Sequence, residues 1–150
     1  MTILRRFLVI QALMLWQGGF LFYAAFVVPA GAQMFGTEAQ GTVTARVTES
    51  LNLCGVAALA ILLWELLATW NGPRRRLRVA CWTILLVGQG LLFYLHRDLT
   101  GMMDADRTFV VKRTSFYSIH QVYLIASTVQ WAIGLVFTWL MLRTWYQKMN

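Results

Sequence analysis

The side chains best suited to chemistry in this sequence are its two histidines, His96 and His120. Imidazole titrates in the physiological range and binds transition metals through a neutral nitrogen. Near them the sequence places the acids Asp98, Asp104 and Asp106, the thioethers Met102 and Met103, and the phenols Tyr94, Tyr117 and Tyr123. Two imidazoles from neighbouring helices are the axial pair of a haem. With the carboxylates or thioethers they would instead hold a copper or zinc ion. The plainer alternative is a pair of interfacial histidines bonded to loop backbone or to Tyr94 and Tyr117. On flanking helices Gln89 and Gln130 lie roughly one to three turns from the histidines and extend the polar surface. His96, His120, Gln89, Tyr94, Asp98, Tyr123 and Gln130 are therefore expected to form a small polar pocket for a cation or a polar head group.

Other chemistry is sparse. Cys54 and Cys81 lie inside apolar runs and form no CxxC or Cys/His spacing, so neither a disulfide framework nor a zinc knuckle is indicated. No nucleophile–base pair, phosphate-binding glycine loop or metalloprotease motif appears. Glu65 is the one acid inside a long apolar run. It is expected to snorkel toward Arg5, Arg6 or the Arg74–Arg78 cluster; buried instead, it would be a protonatable site.

The elements that must carry these residues follow from composition. Hydrophobic residues make up 59% of the chain and charged residues 13%, whereas soluble domains have roughly 45–50% and about 25%. Apolar runs at about 7–30, 51–69, 77–95 and 121–142 each approach the roughly 20 residues a helix needs to cross about 30 Å of hydrocarbon. The expected fold is all-α: an antiparallel bundle of four transmembrane helices in a single domain, with outer loops between the first and second and the third and fourth helices. The first run has a rival reading, because Arg5-Arg6, an apolar stretch and Ala30-Gly31-Ala32 resemble a cleavable signal peptide. Its length and its Gln11, Gln17, Gly18 and Gly19 favour a retained helix.

The formal charge of +7 does not form a nucleic-acid face. The basic residues flank apolar runs, where they act as topology signals and contacts for anionic lipid. Arg5, Arg6, Arg74, Arg75, Arg76, Arg78, Arg143 and Lys148 would lie inside, and Arg46, Arg97, Arg107, Lys112 and Arg113 outside. The expected location is a cell (inner) membrane, crossed several times, with both termini cytoplasmic and with the lipid bilayer, a membrane-protein partner or a second copy as neighbours.

Polar and small residues recur at helical spacing. His120, Tyr123, Ser127, Gln130, Gly134 and Thr138 share one face of the last run. His96, Gln89, Gly88 and Cys81 share one in the third, and Asn52, Gly55, Ala58, Leu62, Glu65 and Thr69 one in the second. A weaker stripe in the first run is Gln11, Gly18, Phe22, Ala25 and Pro29. Such stripes pack against one another, small residues allowing close approach and amides bonding across helices. They form either a packing seam or a polar path.

The first run carries Gly18-Gly19-Phe20-Leu21-Phe22, then Val28-Pro29 and Met34-Phe35-Gly36. The third ends in Leu95-His96-Arg97, and the fourth is preceded by Ser115-Phe116-Tyr117-Ser118-Ile119-His120. In these features, over most of its length, the chain resembles the transmembrane-protein-205-like group of small four-helix membrane proteins. The resemblance implies the fold more than any activity. The expected function is a non-enzymatic accessory or transport-related membrane bundle with an outward-facing polar pocket. The alternatives are a metal- or haem-binding protein using His96 and His120, and a small membrane enzyme acting on a lipid or quinone.

Overall fold

The computed structural model describes residues 2–103 and 113–147. It is helical throughout these segments: α1 Thr2–Phe35, α2 Thr37–Ala68, α3 Arg75–Thr100 and α4 Arg113–Gln147. All four contain a stretch long and apolar enough to cross a membrane. Large apolar side chains face outward along them, among them Leu15, Phe22, Val87 and Ile125. An apolar coat of this extent suits lipid rather than water.

The helices outrun the apolar stretches expected from the sequence. The anticipated outer loop over residues 31–50 is helical apart from Gly36. Residues 37–50 are polar but contain no proline and only one glycine, so helical hydrogen bonding continues past the end of the hydrophobic run. The reversal is concentrated at Gly36, whose φ of 83° and ψ of 161° suit a residue without Cβ. Its N–H donates to the Ala32 carbonyl at 3.1 Å, closing α1, and its carbonyl accepts from Gln40 N at 3.1 Å, opening α2. Likewise α3 continues to Thr100 and α4 begins at Arg113. Asp104, Asp106, Arg107 and Lys112 lie outside the described residues.

Helix α1 contains two π-type turns, Met14–Gly18 and Tyr23–Val27. Such turns re-aim the side chains they carry and recur at functional sites. Pro29, which has no N–H to give a helix, lies two residues beyond the end of the second. The expected α1 stripe does not hold: Gly18, Phe22, Ala25 and Pro29 are exposed, and Val9, Ala12, Leu13, Trp16 and Gln17 are buried. An α-helix that is apolar all round gives little indication of phase. The small residues that suggested the stripe lie on the outward face.

The stripes on α2, α3 and α4 do face the interior. All six α2 positions are buried, as are Cys81 and Gln89 on α3 and Tyr123, Ser127, Gln130 and Gly134 on α4. One core unites the four helices: Val9, Leu13 and Trp16 meet Ala58 and Leu62, Leu85, and Phe137 and Met141. A smaller cluster of Leu92, Leu95, Leu99 and Tyr123 joins α3 to α4 nearer the His96 end.

Glutamines set the helix spacing. A Cβ at Gly134 would collide with the Gln17 amide, and one at Gly31 with the Gln40 amide. At Gly55 it would lie 2.5 Å from Gln89 Oε1, and at Gly88 it would lie 3.7 Å from Gln130 Cδ. Each helix thus offers a glutamine to one neighbour and a glycine to another, in the order α1 to α4, α4 to α3, α3 to α2 and α2 to α1. At Gly31, Gly55 and Gly134 the missing side chain makes room for an amide, which can hydrogen-bond across the helix contact, while at Gly88 a Cβ would meet Gln130 at ordinary contact distance.

Candidate functional site: an interhelical cavity

Between the helices lies a cavity of about 550 Å³, within the range of roughly 300–1,000 Å³ typical of small-molecule sites. All four helices line it. Trp16, Gln17, Tyr23 and Ala24 reach it from the two π-type turns of α1. Gln40, Thr44 and Asn52 come from α2, His96 and Leu92 from α3, and His120, Tyr123, Ser127 and Gln130 from α4.

Its polar side chains form two groups. At the deep end, Gln130 Nε2 donates to Gln89 Oε1 at 3.0 Å and to the Leu85 carbonyl at 3.2 Å. Gln89 Nε2 donates to the Asn52 carbonyl at 3.2 Å and reaches Asn52 Oδ1 at 3.4 Å. Tyr123 donates its hydroxyl to Asn52 Oδ1 at 3.3 Å, and Ser127 donates to the Tyr123 carbonyl at 2.8 Å. This chain of amides ties α2, α3 and α4 together and fixes which way Asn52 presents its carboxamide. The second group joins α1 to α2. Tyr23 donates to Thr44 Oγ1 at 3.1 Å, while Gln40 Nε2 donates to Tyr23 Oη and to Thr44 Oγ1, each at 3.3 Å.

Both histidines line this cavity. The His120 ring stacks on Phe116, with centroids 5.7 Å apart and planes 8° from parallel. Tyr123 and Gln130 line it as well, and Gln89 supports Asn52 from beside it. Tyr94 and Asp98 do not belong to the pocket: neither lines the cavity, and Tyr94 is 63% exposed. Each is two residues from His96, roughly 200° around the helix, so sequence proximity placed them on the wrong face. Among the described residues no three His, Cys, Asp or Glu side chains come together as a metal-ligand set. A metal or haem reading therefore rests on the two imidazoles. The sequence places Asn52 in a stripe that is either a packing seam or a polar path; its particular role in the cavity depends on contacts with Gln89 and Tyr123 that spacing along one helix does not reveal.

A second polar cluster closes the opposite end. Glu65, 1% exposed, is ion-paired to Arg5 Nε and accepts from Trp145 Nε1 at 2.8 Å. It is buried rather than snorkelling, because Arg5 and Trp145 bring donors to it. Arg78, read from sequence as a flanking topology charge, is fully buried. It donates from Nη1 to Thr69 Oγ1 at 2.7 Å and from Nη2 to the Thr69 carbonyl at 2.8 Å, capping the end of α2. Such capping satisfies backbone acceptors that the helix itself cannot. Three guanidinium–indole contacts accompany them among the described residues: Arg6 over Trp145, Arg75 over Trp70 and Arg143 over Trp139.

No protein-family model, curated protein or solved structure matches the chain.

Proposed function

We propose that the chain is a multi-pass protein of a cell (inner) membrane, an antiparallel four-helix bundle with both termini cytoplasmic. Its work is to hold an amphipathic small molecule in the interhelical cavity, as a non-enzymatic accessory or transport-related protein. The observation that carries this reading is the cavity itself, whose lining from all four helices combines apolar and aromatic side chains with polar ones such as Asn52, His96, His120 and Gln130. That is the composition expected of a site that takes an apolar body and orients it by its polar end. The basic cluster around Arg5, Arg74 and Arg143 would face the cytoplasm, leaving the cavity and His96 in the outer half of the bilayer. The resemblance to transmembrane-protein-205-like proteins belongs to the same reading.

Native mass spectrometry of the protein released from mild detergent tests it. The expected result is one retained small-molecule adduct that disappears in Ala45→Phe, since Ala45 lines the cavity. An adduct population unchanged by that substitution would place the ligand elsewhere. The second reading, favoured by two imidazoles lining one cavity, is a metal or haem site. It predicts a Soret band or stoichiometric metal that is lost in His96→Ala with His120→Ala.

A further inference from the structure

Among the described residues, three buried side-chain nitrogens lack a hydrogen-bond partner: Arg6 Nε, Arg78 Nε and Asn52 Nδ2. Both arginines use their guanidinium elsewhere, Arg6 on Trp145 and Arg78 on Thr69. Asn52 differs because it is 4% exposed, lines the cavity, and has an entire amide NH₂ without an acceptor. An unfilled buried donor costs free energy, and native structures rarely leave one without a reason. The amide is also held in orientation: Tyr123 Oη and Gln89 Nε2 both donate toward Oδ1, and Gln89 is itself held by Gln130. Reversing the amide would set its NH₂ against Gln89 Nε2, a group that can only donate and that the Asn52 carbonyl holds in place at 3.2 Å.

Resting on the cavity-binding reading above, we propose that the ligand is a flat lipophilic carbonyl compound of the quinone class, with one carbonyl oxygen accepting from Asn52 Nδ2. Only an acceptor satisfies that NH₂, which excludes a ligand whose buried end is a hydrocarbon or an ammonium. The flat ring follows from the walls, since Trp16, Phe20, Phe116 and Trp131 line the same space. A second donor lies further along it. His120 is three residues from Tyr123, the Asn52 partner, and His96 is seven from Gln89; these spacings correspond to about 4.5 and 10.5 Å along the helix axes. A ring with carbonyls on opposite edges can accept from Asn52 at one edge and from an imidazole N–H at the other. The proposal concerns binding and involves no electron transfer.

The test uses the full chain in detergent near neutral pH and three short-tailed probes: a benzoquinone, the corresponding arene without carbonyls, and a diacylglycerol, which offers ester carbonyls on a flexible body. Binding is read by tryptophan emission, with direct quenching for the quinone and competition against it for the others; Trp16 and Trp131 both line the cavity. Quenching that survives in Ala45→Phe measures partition into micelles and is subtracted. The quinone should bind at least about tenfold more tightly than the arene, the order of one to two buried hydrogen bonds. Asn52→Leu should abolish most of that difference. It keeps about the same side-chain volume and removes the NH₂, whereas an aspartate buried at this position would be protonated and would itself donate. The comparison of probes on the unaltered chain stands even if that variant does not fold. Equal binding of quinone and arene would overturn the carbonyl assignment while leaving the cavity as a ligand site. Tighter binding of diacylglycerol would overturn the quinone class. Absence of saturable binding by any probe would overturn the cavity reading and this inference with it.

Discussion

Replacing Gly55 by alanine tests the glutamine–glycine packing directly. The added methyl would lie 2.5 Å from Gln89 Oε1, 2.8 Å from Trp16 Nε1 and 3.0 Å from Gln89 Cδ, well inside the roughly 3.5–4.0 Å of favourable contact. A free glutamine would swing aside at little cost. Gln89 is 3% exposed, accepts from Gln130 at 3.0 Å and donates to the Asn52 carbonyl at 3.2 Å, so moving it breaks buried hydrogen bonds. Overpacking costs about 1–3 kcal/mol and each lost hydrogen bond about 0.5–1.5 kcal/mol, offset by about 1 kcal/mol of helix propensity. The expected net loss is about 2 kcal/mol. Gly90 is the control, because nothing lies within 4 Å of a Cβ built there; Gly90→Ala should stabilise by up to about 1 kcal/mol. Unfolding of the purified protein by a denaturing detergent titrated into mild micelles measures both. In a Gln89→Ala background the cost of Gly55→Ala should fall by at least half. A Gly55→Ala variant as stable as Gly90→Ala, or an unchanged cost when Gln89 is truncated, would refute the packing argument.

Three further outcomes are expected. Glu65→Ala should destabilise the bundle by about 3–5 kcal/mol in the same assay, because it removes the carboxylate of a buried ion pair and leaves the Trp145 N–H unmet; Glu65→Gln should recover part of this by keeping an acceptor for Trp145. Arg78→Lys should cost about 1–3 kcal/mol, since an ammonium cannot reproduce the forked contact with Thr69 Oγ1 and its carbonyl. A reporter fused after Asn150 should be active only on the cytoplasmic side, and Met34→Cys in a cysteine-free background, at a position 74% exposed, should react with an impermeant thiol reagent only from outside.

The inward faces of α2, α3 and α4 were legible in the sequence because polar and small residues punctuate their apolar runs. Asn52, Gly55, Glu65 and Thr69 mark α2 as Tyr123, Ser127, Gln130 and Gly134 mark α4, and residues costly in lipid must turn inward. Helix α1 lacked that contrast: Gln17 and Gly18 are adjacent, about 100° apart, and only the first is buried. The helix ends were misjudged because hydropathy reports the apolar stretch and not the hydrogen-bonded one, which here extends through Thr37–Ser50. Arg78 was read as a flanking charge by its proximity to Arg74, Arg75 and Arg76, although its neighbours in space are Thr69 and Gly72. Two imidazoles sharing one cavity could be anticipated from their places on two helices. The role of Asn52 could not, because it depends on which of its two amide atoms Gln89 and Tyr123 occupy.

The two ends of the molecule are built for different tasks. At the end marked by Glu65 the four helices share one core, and Arg5, Glu65, Trp145, Thr69 and Arg78 link side chains across it. At the other end the apolar cluster joins only α3 and α4, while Tyr23, Gln40 and Thr44 bond α1 to α2. Tyr123 and Gln89 tie the two pairs through Asn52 at the inner end of the cavity, which all four helices line. Substitutions near Glu65 are thus expected to act on folding, and those near Asn52 both on folding and on what the cavity holds.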